Sequence, residues 1–189
     1  MKLVTYRLDQ NEARLGVLKE SLLIDVQQFG ERMNLDLSSS MQGFIELGSI
    51  AVETLDTALE ESLAKDLVGI SVPFENAKIL APIPRPKKNI FGIGLNYKDH
   101  IGEASKALDT PSGLPNEPVI FSKFPTAVIG NHDPICHNQE ITKQLDWEAE
   151  LAVIIGTKCD RVDKKNALDH VFGYTVINDI SARDCRRAG

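Results

Sequence analysis

A chain of 189 residues, 42% of them hydrophobic, has enough apolar side chains for one packed domain, alone or with a small appendage. Its formal charge of −6 argues against a nucleic-acid surface, and the cluster Arg183, Arg186 and Arg187 is too short to change that. No apolar run approaches the roughly 18 residues that span a bilayer, and the first ten residues lack the apolar core of a signal peptide, so a cytoplasmic protein with no nucleic-acid or membrane partner is expected. The cysteines Cys136, Cys159 and Cys185 are odd in number and form no CxxC pair, which leaves them as small apolar fillers or exposed thiols.

In chain order, residues 2–8, 13–18 and 21–26 each have the length and alternation of a short strand, and together they suggest a meander. Ser38, Ser39 and Ser40 can cap a helix over residues 41–47. Ser49 can cap another, in which Val52, Leu55, Leu59 and Leu63 recur at helical spacing while Glu53, Asp56, Glu60 and Glu61 form a solvated face. Residues 81–88 read APIPRPKK, and prolines in alternate positions forbid helix and favour an extended connector. A domain boundary is expected near it, with a small α+β N-terminal domain over residues 1–77 and a second domain over residues 78–189. Beyond the connector, short apolar runs at 90–93, 119–124, 145–155 and 172–180 alternate with Gly, Pro and polar punctuation. That texture implies a β-rich α+β domain with a folded-over sheet. Residues 111–118 look like a surface loop.

The most strand-like run, residues 145–156, reads LDWEAELAVIIG. Alternation puts Trp147, Ala149, Leu151, Val153 and Ile155 on one apolar face and Glu148, Glu150, Ala152 and Ile154 on the other. Two carboxylates roughly 6 to 7 Å apart at Cα repel unless a cation lies between them, and a hard divalent metal would satisfy both. The alternative is a strand that turns its Glu end to water. In residues 172–184, FGYTVINDISARD, Asp179 closes another strand-like run, where it can cap a following helix or act as a third oxygen ligand.

Residues 89–104, NIFGIGLNYKDHIGEA, contain three glycines that fail the dinucleotide spacing at Tyr97. His100 and Glu103 fall on one helical face, where the carboxylate can fix the imidazole's tautomer and raise its basicity, or where both can be structural. His132 and His137 sit in a Pro-containing stretch and His170 at the end of a helical one, and none of these settings asks for a reaction.

Together GIGLNYKDH, DWEAELAVIIG and NDISARD resemble the fumarylacetoacetate hydrolase family over about residues 78–189. The resemblance implies a mixed β-sandwich roll preceded by the small N-terminal domain, and Mg²⁺ or Mn²⁺ held by Glu148, Glu150 and Asp179. It also implies a water-activating or proton-transferring dyad, His100 and Glu103. The chemistry it implies is C–C hydrolysis, isomerisation or decarboxylation of a small 2-oxo or β-dioxo carboxylic acid, in a homodimer. Such an acid would chelate the metal, which would stabilise the enolate formed on bond cleavage. The family's later Lys-Ser-Phe-Asp-like and Thr-Gly-Thr-Pro-like segments do not occur before Gly189. The roll is therefore expected to be incomplete at the C-terminus, this chain to be part of a longer protein, and the chain alone to be inactive. A noncatalytic metal-binding or oligomerisation module is the alternative.

Overall fold

The computed structural model describes residues 1–97 and 116–187. The expected meander is present as β1 (Leu3–Arg7), β2 (Arg14–Lys19) and β3 (Leu22–Asp25), paired antiparallel in sequence order. Two further strands, β4 (Ser71–Pro73) beside β3 and β5 (Lys78–Ile79) beside β1, extend it to five. Leu15, Gly16 and Val17 are consecutive and all buried, so both faces of β2 are covered. On one face Leu15, Val17 and Ile24 join Val26, Phe29, Phe44 and Leu55 in the apolar core. On the other, Gly16 leaves room for its neighbours: a Cβ there would meet Leu23 Cδ1 at 2.6 Å and the Tyr6 ring at 3.0 Å.

That second face carries the sheet's main polar knot. Tyr6 stands opposite Arg14 and Asp25 opposite Gly16, so all three side chains share the face. The Tyr6 hydroxyl donates to Asp25 at 2.7 Å, Arg14 pairs with the same carboxylate, and the Gln28 amide donates to it at 2.9 Å. Asp25 thereby caps α1 (Val26–Met33), a helix that the strand-like residues 21–26 concealed. The helix ends at Asn34, whose φ of 55° is the left-handed turn that Asn tolerates. Burial, followed by the hydrogen bond and negative charge of Asp25, pushes the Tyr6 phenol well above its ordinary range.

The helix α2 (Met41–Glu46) is capped as anticipated, by Ser40 accepting the Gly43 amide at 3.1 Å. For α3 (Ser49–Glu61) the expected cap is corrected: Gly48, at φ 79°, stands at the cap position, and no side chain caps the helix. Glycine reaches that backbone angle without a steric penalty, which moves the helix start one residue ahead of Ser49's usefulness as a cap. Leu55 and Leu59 are buried, whereas Leu63 lies beyond the last turn and is exposed. Glu53, Asp56, Glu60 and Glu61 face solvent.

The rest of the described chain consists of paired short strands joined by loops and 3₁₀ turns such as Lys164–His170, so the architecture is α+β and β-rich. One compact unit, Pro84–Val128, contains the antiparallel pair β6 (Ile90–Gly94) and β7 (Val119–Lys123). The other comprises Met1–Ile83 together with Ile129–Gly189. Its later strands are β8 (Leu145–Asp146), β9 (Ala149–Ile155), β10 (Val171–Asn178) and β11 (Ser181–Ala182). Ile154 and Phe172 lean on the N-terminal core, and Phe172 meets Phe44 edge-on with ring centroids 6.3 Å apart, which is why these strands group with the first 83 residues. Among the described residues no helix is long and apolar enough to cross a membrane.

Candidate metal centre

The run at 145–155, expected to be one strand, is two: it breaks at Trp147 and Glu148, and the partner run breaks opposite them. β9 pairs with β10, Ala149 facing Asn178 and Glu150 facing Ile177, while β8 pairs with β11, Asp146 facing Ser181. The register is the same on both sides of the break, and it sets Asp179 directly opposite Glu148. The Asp179 amide donates to the Glu148 carbonyl at 2.8 Å. The Glu148 amide instead donates to the Asn178 side chain at 3.1 Å, a side-chain bond in place of a rung of the ladder.

Because directly opposed residues point to one face and the face repeats every second residue, Asp146, Glu148, Glu150, Asp179, Ser181 and Arg183 all belong to one side of the ribbon. That side is the covered one. Asp179 and Ser181 are buried, and the Glu148 side chain is only 14% exposed. Trp147, at 71%, and Leu151, Val153, Tyr174 and Val176 on the opposite side face outward. The carboxylate end of the run is therefore not simply turned to water.

The Glu148 carboxylate is bound by Arg183. The guanidinium pairs with Glu148 Oε1 through Nη2, and with Asp146 Oδ2 through Nε at 2.9 Å and Nη2 at 2.8 Å. Burial works against the guanidinium's charge, but the Asp146 hydrogen bond and the two carboxylates outweigh it, so the Arg183 pKa is raised. The arginine is anchored from behind. Its amide donates to the Gln144 carbonyl at 2.9 Å, and the adjacent Asp184 accepts from the Thr142 hydroxyl and from the Lys143 amide at 2.9 Å. Those two bonds, the Thr142 hydroxyl first, hold the Asp184 carboxyl below the usual carboxylate range.

Three carboxylates on one covered face are the donor set that a hard cation takes, and in type and face these residues fit Mg²⁺ or Mn²⁺. As they stand, the side chains are not gathered around a single point: among the described residues no group of three or more Asp, Glu, His or Cys side chains is placed to hold an ion. His100 and Glu103 lie outside the described residues. His137, through Nε2, bonds the Thr142 carbonyl at 2.8 Å, and His132 is an exposed residue at φ 61°. All three cysteines are exposed. The residues that pattern reading passed over are Asp146, Thr142 and Asp184, together with the local role of Arg183. Parity was the available signal, since Asp179, Ser181 and Arg183 are spaced two apart.

The described chain is thus a β-rich α+β protein with a row of acids on the covered face of a strand ribbon. Residues 89–188 match the family model for the fumarylacetoacetate (FAA) hydrolase C-terminal region, and the chain belongs to that family. It is 48% identical over 110 residues to an oxaloacetate tautomerase of Bacillus subtilis, covering 58% of this chain and 35% of that protein. With the mitochondrial oxaloacetate tautomerase of Xenopus laevis it shares 36% identity over 190 residues, 97% of this chain and 53% of the relative. The fumarylacetoacetate hydrolase of Exiguobacterium antarcticum has the same fold, with a TM-score of 0.70, 32% identity and coverage of 98% and 58%. A maleylpyruvate hydrolase from Sphingobium, solved with manganese(II) and pyruvate, superposes with a TM-score of 0.69 at 22% identity, covering 97% of this chain and 60% of that one. At that identity the likeness is one of fold. This chain thus spans between 35% and 60% of the length of these relatives.

Proposed function

We propose that the chain carries the metal-holding part of an enzyme acting on small 2-oxo or β-dioxo carboxylic acids, with Mg²⁺ or Mn²⁺ held by Glu148, Glu150 and Asp179. The observation that carries this is the unshifted register that sets Asp179 opposite Glu148, with Glu150 two residues along the same covered face. The metal would supply Lewis-acid stabilisation of a developing enolate. By motif match, His100 oriented by Glu103 moves the proton at the carbon next to the carbonyl. Two relatives named as oxaloacetate tautomerases favour proton transfer over C–C cleavage as the reaction, and oxaloacetate as the substrate to try first. The solved maleylpyruvate hydrolase with manganese(II) and pyruvate supports the choice of a divalent metal and a 2-oxo acid. We propose that residues 1–77, whose sheet continues into β5 and whose core receives Ile154 and Phe172, support this half rather than react.

The test has two parts. Titration calorimetry with Mn²⁺ should show one site that Glu150→Gln weakens by about tenfold or more, the loss of one charged ligand on the order of 1.4 kcal/mol. In the full-length protein, oxaloacetate enol–keto exchange followed by enol absorbance should fall on His100→Ala while the Mn²⁺ affinity stays unchanged. Unaltered Mn²⁺ binding after Glu150→Gln would remove the carboxylate assignment.

A further inference from the structure

We propose that Arg183 is a built-in counter-cation that holds Glu148 in the ion-free protein and competes with a divalent cation for it. The inference rests on the reading of Glu148 as a metal ligand. A guanidinium is always charged and offers no lone pair, so it cannot share in ligation; it can only neutralise the carboxylate or stand aside. With Arg183 on Oε1, Glu148 is already compensated, and a second cation arriving on the same carboxylate meets a like charge at short range.

The geometry gives Arg183 somewhere to go. Asp146 Oδ2 holds it through both Nε and Nη2, so giving up Glu148 leaves an ion pair intact rather than a bare charge. Asp146 is also the more exposed of the two acids, 44% against 14% for Glu148, so that retained pair sits nearer to water. The backbone does not need to move. The bond of the Arg183 amide to Gln144 and the attachment of Asp184 to Thr142 and Lys143 hold the main chain on either side of the side chain, and the exchange is a change of rotamer. In the ion-free protein the same contact holds the Glu148 carboxylate on the covered face and compensates its charge. Arg183 is in this sense a positioning residue, and its signature is that removing it should strengthen ion binding.

The experiment is Mn²⁺ titration calorimetry on the protein and on Arg183→Gln, Arg183→Lys and Glu150→Gln, with the melting temperature of each recorded with and without Mn²⁺. Arg183→Gln should bind Mn²⁺ about tenfold more tightly, about 1.4 kcal/mol. It should also melt lower than the parent without the ion and recover most of the difference with it. Arg183→Lys, which keeps the charge but loses the fork, should fall between, and it carries the test if the glutamine variant does not fold. Equal loss of melting temperature with and without Mn²⁺, with affinity unchanged or weaker in both arginine variants, would overturn the counter-cation role. If in that case Glu150→Gln still weakens Mn²⁺ binding relative to the parent by about tenfold or more, the carboxylate centre stands and only Arg183's role falls. Absence of Mn²⁺ binding in the parent and both arginine variants would overturn the centre and this inference together.

Discussion

Replacing Asp25 by alanine should be the most damaging single substitution in the N-terminal sheet. Asp25 is 2% exposed and serves three partners at once: the first turn of α1 through the Gln28 amide, the Tyr6 hydroxyl, and Arg14. Loss of an N-cap costs about 1 kcal/mol. A buried hydrogen bond to a charged group is worth about 1.5–3 kcal/mol. The Arg14 pair is discounted, because that side chain is 35% exposed, to about 0.5–1 kcal/mol. Together these give about 3–5 kcal/mol, a large share of the roughly 5–15 kcal/mol that holds an ordinary domain. Asp25→Asn keeps one oxygen for the cap and sets its NH2 against the Tyr6 hydroxyl, which can turn to accept, so the charge and the Arg14 pair are lost and about 1–2 kcal/mol is expected. In urea, with a slope of about 2 kcal/mol per molar, the alanine variant should lower the midpoint by about 2 M and the asparagine variant by less than about 1 M. Circular dichroism of the helices reads both. A loss below about 1 kcal/mol for Asp25→Ala, or equal losses for the two variants, would mean that the carboxylate does not tie helix to sheet as its contacts indicate.

The Tyr6 phenol makes the same knot sensitive to alkali. Its folded pKa is raised, so above about pH 10 the unfolded chain loses a proton that the folded chain keeps, and the phenol's contribution, intact below that pH, is lost as pH rises. Stability should fall by up to about 1.4 kcal/mol per pH unit above pH 10, and Tyr6→Phe should remove that component of the slope in urea titrations at pH 9 to 11. Thr142→Val keeps the side chain's volume but deletes the hydroxyl that Asp184 accepts and to which the Gln144 amide donates. It should move the Asp184 titration back up toward the usual carboxylate range, which carboxyl NMR would show; an unmoved titration would dissolve the proposed anchoring of the Arg183 segment.

Much of the fold is legible in local chemistry. The meander follows from the alternation in residues 2–26, and Ser40 caps α2 because a serine hydroxyl ahead of an apolar helical run has an orphan amide within reach. The parity of Glu148 and Glu150 is equally local, since side chains two apart on a strand share a face whatever the rest of the protein does. The first helix was hidden because Asp25 ends a strand and begins a helix with the same residue. The edge strands β4 and β5 were missed because two or three residues carry no periodicity of their own. Which face of the ribbon is covered belongs to long-range packing. Trp147, Leu151 and Val153 are as apolar as the core residues Leu15 and Val17, yet they stand exposed while Glu148 is nearly enclosed. Alternation assigns side chains to two faces, but only partners distant in sequence can cover one of them. Here Phe172 and Ile154, on the acid-bearing strands, lean on a core that residues 15–70 supply. Arg183's hold on Glu148 has the same origin: the two are 35 positions apart and meet only because β8 to β11 keep one register through the break.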